Sequence, residues 1–116
     1  TNLLKSNALC FLGKFDDAIE TLEKVLEFHQ DSADEIYFSL GLVYQNWGKL
    51  EEAVECFKET ILRNISHEPA TFELTYALES LNKLSDGVLF YEKIIDNEPY
   101  SHLAWYYLGE IYDRMR

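Results

Sequence analysis

Apolar residues recur at three- and four-residue spacing along nearly the whole chain, as in Ala104, Leu108, Ile111 and Tyr112, and no stretch alternates strictly between apolar and polar. That period predicts an all-α fold. Helices are expected near 1–11, 15–29, 34–46, 50–63, 68–81, 85–96 and 101–115: seven in all, or three helical hairpins and one leading half. Gly13-Lys14, Gly48-Lys49 and Asn82-Lys83 each separate two helical patterns, 35 and 34 residues apart. Gly, and next Asn, adopts the left-handed conformation that ends a helix, so each pair predicts a tight turn between antiparallel helices. A second series of breaks falls between the hairpins. Ser32-Ala33-Asp34-Glu35 has the form of a capping box, Pro69 suits a first helical turn, and Pro99 with Ser101 stops one helix and caps the next.

The 34- to 35-residue period carries a motif. Trp105, Leu108, Gly109 and Tyr112 fit W-x₂-L-G-x₂-Y, and Tyr37, Leu40, Gly41 and Tyr44 repeat it with Tyr for Trp. Ala53 and Phe57 fit A-x₃-F in the helix that follows; Ala18 with Leu22, and Gly87 with Tyr91, stand at the same places in the first and third units. Pro99 closes the third unit, where Ile65 closes the second. On these residues the chain resembles the tetratricopeptide repeat (TPR) family over essentially its whole length. The resemblance implies an α-α superhelical solenoid: a single array with units at about 1–33, 34–67 and 68–101 and the leading helix of a fourth at 102–116. The pattern also has a physical reason. Gly41, Thr75, Gly109 and Ser6 on first helices, with Ala18, Ala53 and Gly87 on second helices, let two backbones approach to roughly 8–9 Å.

Departures from the pattern carry expectations of their own. Asn2 and Lys5 make the leading helix of the first unit degenerate. Thr71 in place of the aromatic, and Gly87 inside a helix at about 1 kcal/mol relative to Ala, mark the third unit as the loosest. The face of the last helix formed by Ala104, Leu108, Ile111 and Tyr112 lacks a following helix to cover it. Repeat arrays need such cover at their ends. The expectation is that this face associates with another copy, or that the native protein continues past Arg116; the start at Thr1 without Met points to a longer parent.

Composition narrows the function. The formal net charge of −11, from 21 acidic and 10 basic residues, repels phosphate backbones and anionic membranes, so neither nucleic acid nor membrane is an expected partner. Cys10 and Cys56 have no metal or redox spacing and read as reduced, which suits a cytoplasmic protein. His29, His67 and His102 lie near helix ends and far apart, as caps or surface residues, and Gly48-Lys49 belongs to a turn rather than to a phosphate loop. No Ser, His and Asp trio is suggested by spacing. The expectation is a protein with no catalytic residues, no metal and no cofactor.

In such a stack the first helices line the inner surface. The faces turned from their hairpin partners carry Glu35, Phe38, Leu42 and Gln45, then Phe72, Glu73, Tyr76 and Glu79, then Tyr106, Tyr107 and Glu110, with Arg114 nearly alone as a cation. Glu35, Phe38, Leu42, Phe72, Glu73, Tyr76, Tyr106, Tyr107 and Glu110 are therefore the candidate peptide-binding groove. Aromatic anchors among acids suit an apolar peptide or helix with basic residues. The alternative for these rings is packing between repeats. Chaperone-type members of the family hold a terminal carboxylate with Lys, Asn and Arg. Here Phe38, Leu42, Phe72 and Tyr76 stand in those places and only Asn7 would serve, so an acidic chaperone tail is not the expected ligand. The function expected is a non-enzymatic protein-interaction scaffold; the alternative is an assembly element of a larger parent, acting through its end faces.

Overall fold

The computed structural model describes residues 14–116. The helix expected at 1–11, with Ser6, Asn7, Cys10 and the Gly13 turn, lies outside the described residues. Six α-helices follow in order: α1 Phe15–Phe28, α2 Ala33–Asn46, α3 Leu50–Arg63, α4 Glu68–Ser80, α5 Leu84–Asn97 and α6 His102–Arg114. Each bound lies within two residues of its sequence expectation. The fold is an α-α solenoid in which successive helices pack on one another, and its extents of 38 × 29 × 15 Å are those of a slab two helix layers thick.

The turns form as the sequence implies. Gly48 has φ +85° and Asn82 φ +59°. After α2, Gly48 N donates to Gln45 O at 3.1 Å and Lys49 N to Tyr44 O at 2.8 Å. After α4, Asn82 N donates to Glu79 O at 3.0 Å and Lys83 N to Leu78 O at 2.7 Å. These paired bonds are a Schellman closure, which satisfies the last carbonyls of a helix and reverses the chain. Ser101 Oγ accepts from Ala104 N at 3.3 Å and caps α6 as expected. The capping box at Ser32 does not form. Gln30–Ser32 is a 3₁₀ turn running straight into α2, which leaves Ser32 at φ −109°, ψ 25° rather than in the extended conformation a capping side chain needs.

The core follows the stack. Ala18, Leu22, Ile36, Leu40 and Val43 form one cluster between α1 and α2, and a larger one runs from Ala53 and Phe57 through Leu74, Leu78 and Tyr91 to Ala104, Leu108 and Ile111. The small residues sit at the close approaches. A Cβ on Gly41 would meet the Phe57 ring at 2.5 Å, and one on Gly87 would meet Ile111 Cδ1 at 2.9 Å and Leu78 Cδ1 at 3.0 Å. Gly87 is thus required where α4, α5 and α6 converge. The gap left by Thr71 is filled from α5: Tyr91 is fully buried and donates from its hydroxyl to Thr71 Oγ1 at 3.3 Å. The α4–α5 hairpin is nonetheless packed over less of its length than α2–α3.

Candidate functional site

The rotation of each first helix decides which candidate residues reach the surface. On α6, Ala104, Tyr107, Leu108 and Ile111 fall at i, i+3, i+4 and i+7 and form the buried stripe. Tyr106 and Glu110 lie one position away and are exposed, on the side that faces α4 across a cleft. Trp105, Gly109 and Tyr112 form a third stripe at the end of the stack. Two expectations are corrected here. Tyr107 is 5% exposed and packs on Tyr91 at a ring-centroid distance of 5.9 Å, so it is core rather than a surface anchor. The uncovered face of α6 consists of Trp105, Gly109 and Tyr112, because Ala104, Leu108 and Ile111 are buried against the preceding hairpin.

On α4, Phe72 and Tyr76 stand out at 63% and 53% exposure, and Tyr106 on α6 at 61%. Phe72 lies where two clefts meet. One, with Tyr76, Glu73, Gln45 and Leu50, runs between α2 and α4; the other, with Glu68, Tyr106 and Glu110, runs between α4 and α6. Phe38 and Leu42 on α2 are half-buried against the larger core cluster. Phe38 packs its ring on Phe57 at 5.8 Å and on His67 at 4.7 Å, so packing within the stack claims much of its surface.

The polar groups of this face are tied to their neighbours. Gln45 Nε2 donates to Glu73 Oε2 at 2.8 Å across α2 and α4, and Arg114 Nη1 to Glu79 Oε2 at 3.5 Å across α6 and α4. His67 is buried at the start of α4; its Nδ1 accepts from Ala70 N at 3.2 Å, and its Nε2 reaches Glu35 Oε1 at 3.2 Å. The Glu110 carboxylate beside the Tyr106 hydroxyl holds its pKa above the ordinary value. Burial raises the pKa of Tyr107 first, the Glu68 charge next, and the Thr71 hydroxyl opposes both. Thr71 lies near but does not complete a hydrogen bond: Tyr107 Oη is enclosed without a partner.

Sequence reasoning missed two residues of this face, His67 and Glu68, and the hydroxyl of a third that it named, Tyr107. His67 was legible as a helix-end residue, but its reach to Glu35 is a contact between repeats. Glu68 was legible only as the neighbour of Pro69. The enclosed Tyr107 hydroxyl leaves no mark in a one-dimensional pattern. Among the described residues no group of His, Cys, Asp or Glu is placed to hold a metal, and no helix is long and apolar enough to cross a membrane.

Comparison with known proteins agrees with the geometry. The family model described as tetratricopeptide repeat matches residues 1–31 and 34–64. The chain is 31% identical over 91 residues to the protein O-mannosyl-transferase Tmtc3 of Drosophila melanogaster, a match that covers 78% of this chain and 10% of that protein. It thus spans about a tenth of the length of this curated relative. Among solved structures, the second TPR domain of human RPAP3 in complex with the HSP70 peptide SGPTIEEVD superposes with a TM-score of 0.65 at 22% identity, covering 96% of this chain and 92% of that one. The first TPR of Spaghetti (RPAP3), bound to the HSP90 peptide SRMEEVD, gives 0.67 at 22% identity over 98% and 92%. The TPR domain of Sgt2 from Aspergillus fumigatus gives 0.67 at 18% identity over 98% and 76%. With the repeated motif, the Schellman turns, the glycine seam and a family model matching more than half of its length, this chain belongs to the tetratricopeptide repeat family.

Proposed function

We propose that the chain is a non-catalytic interaction module that binds a peptide or helix of a partner protein across the concave face of α2, α4 and α6. Phe72, Tyr76 and Tyr106 are its anchors. The observation that carries this reading is that these three rings, on adjacent first helices, stay more than half exposed beside two clefts, while Tyr107 next to them is buried. Large aromatic side chains left in water at the edge of clefts are what binding surfaces present to a partner. Glu35, Glu73 and Glu110 give the face negative charge and favour basic residues in the ligand. The RPAP3 domains hold peptides that end in acids. Here Phe38, Leu42, Phe72 and Tyr76 stand where a carboxylate clamp carries Lys, Asn and Arg, so the peptide class differs. The test is selection from a displayed library of random peptides against this chain and against a Phe72→Ala, Tyr76→Ala, Tyr106→Ala form whose circular dichroism is unchanged. Enrichment of apolar–basic peptides by the first and not the second is the expected result; equal enrichment by both removes the reading.

A second reading, association of copies through the end of the stack, rests on α6. Trp105 and Tyr112 are 55% and 47% exposed, and a Cβ on Gly109 would meet nothing within 4 Å. At the corresponding Gly41 the Phe57 ring of the next helix fills that place. Sedimentation over a concentration series, with Trp105→Glu as control, tests it: a monomer throughout would count against it.

A further inference from the structure

We infer that the cleft between α4 and α6 is a receptacle for one arginine side chain of the bound peptide. The inference rests on the groove reading above and names the chemistry of one of its subsites. The cleft has a volume of about 280 Å³ and is lined by Phe72 and Tyr106 at its sides, Glu68 and Glu110 at its rim, and Thr71 and Tyr107 within. Each part suits a guanidinium. Its planar face stacks on aromatic rings, and its five donors in a fixed fork match carboxylates at more than one position. Two carboxylates on different helices supply the countercharge, while the one cation at the cleft, Arg114, is engaged with Glu79.

The acids alone would be a solvated surface. What distinguishes this cleft is Tyr107, a core residue that lines it and whose enclosed hydroxyl has no hydrogen-bond partner. Buried polar atoms are nearly always paired, so one left unpaired beside a cleft calls for an explanation. Of the neighbouring hydroxyls, Thr71 Oγ1 already accepts from Tyr91, and Thr75 Oγ1 donates to Thr71 O at 2.9 Å. An N–H donor entering from the cleft would find the Tyr107 oxygen free to accept. A purely apolar side chain would leave it unpaired, and an acidic one, though able to accept from the hydroxyl, would meet the like charges of Glu68 and Glu110.

The test titrates N-acetyl-arginine amide, and its neutral isostere N-acetyl-citrulline amide, into the isotope-labelled chain and follows amide chemical shifts. Saturable shifts at Thr71, Tyr106, Tyr107 and Glu110 with the arginine probe, and binding roughly tenfold weaker with citrulline, are expected. Tyr107→Phe, which keeps the ring in the core, should weaken the arginine probe, as should Glu110→Gln; added salt should weaken it further. Equal shifts from both probes, or none at these residues, would overturn the subsite. The groove reading stands or falls separately. Selected peptides that need Phe72, Tyr76 and Tyr106 but tolerate arginine-to-citrulline exchange would keep the groove and remove the subsite. Arginine-probe shifts in a chain that selects no peptide would do the reverse.

Discussion

Glu35 and His67 join two repeats through one imidazole. Nδ1 accepts from Ala70 N at 3.2 Å and caps α4, so the neutral ring carries its proton on Nε2, which meets Glu35 Oε1 on α2 at 3.2 Å. His67→Ala removes a cap and a bridge together and should cost about 1–2 kcal/mol in urea denaturation. Glu35→Ala should cost less than about 1 kcal/mol, because that carboxylate is 58% exposed. His67→Asn should restore the cap but not the bridge. A double-mutant cycle between the two positions measures the bridge directly, and a coupling of zero would show that the cap alone matters.

The two glycines of the repeated motif should respond oppositely to the same change. Gly41→Ala drives a methyl into the Phe57 ring, whose atoms stand at 2.5, 2.7 and 2.9 Å, and should destabilise by about 1–3 kcal/mol. Gly109→Ala meets nothing within 4 Å on an exposed part of α6 and should stabilise by about 0.5–1 kcal/mol. Thermal denaturation of the two variants decides it; a shift of the same sign in both would contradict the packing described.

The turn residues make a matching pair. Gly48→Ala places a Cβ at φ +85° and should lower stability by about 1–2 kcal/mol. Asn82 already tolerates φ +59°, and Asn82→Gly should be close to neutral. Denaturant midpoints compare them.

Cys56 has its pKa raised to about 12, by burial first and then by the charges of Glu55 and Glu59 among others. In a Cys10→Ser background its thiol should resist iodoacetamide at pH 8 and react once the chain is unfolded. The sign of the linkage follows. A folded pKa above the unfolded value of 9.0 gives a stabilisation that is complete below pH 9 and lost as pH rises toward about 12. Unfolding free energies of Cys56 and Cys56→Ala forms, measured across that window, should therefore converge as pH rises. Divergence would overturn the assignment.

What was legible in the sequence is what a helix imposes on its own chain. The 3.6-residue period, Gly48 and Asn82 at left-handed turns, Ser101 at a cap and small residues at Gly41 and Ala53 are constraints within one hairpin, so they repeat in one dimension. Tyr106 and Tyr107 show the limit. They are chemically identical neighbours, and only the rotation that places Ala104, Leu108 and Ile111 inward puts one in water and the other in the core. The Ser32 box met its pattern but not its backbone, because the connection to α2 winds as a 3₁₀ turn. Contacts between units were decided by the stack alone: the bridge from His67 to Glu35, the packing of Tyr107 on Tyr91, and the enclosed Tyr107 hydroxyl. Each depends on how far one hairpin rotates against the next, a quantity set by the packing of many side chains at once and carried by no single motif.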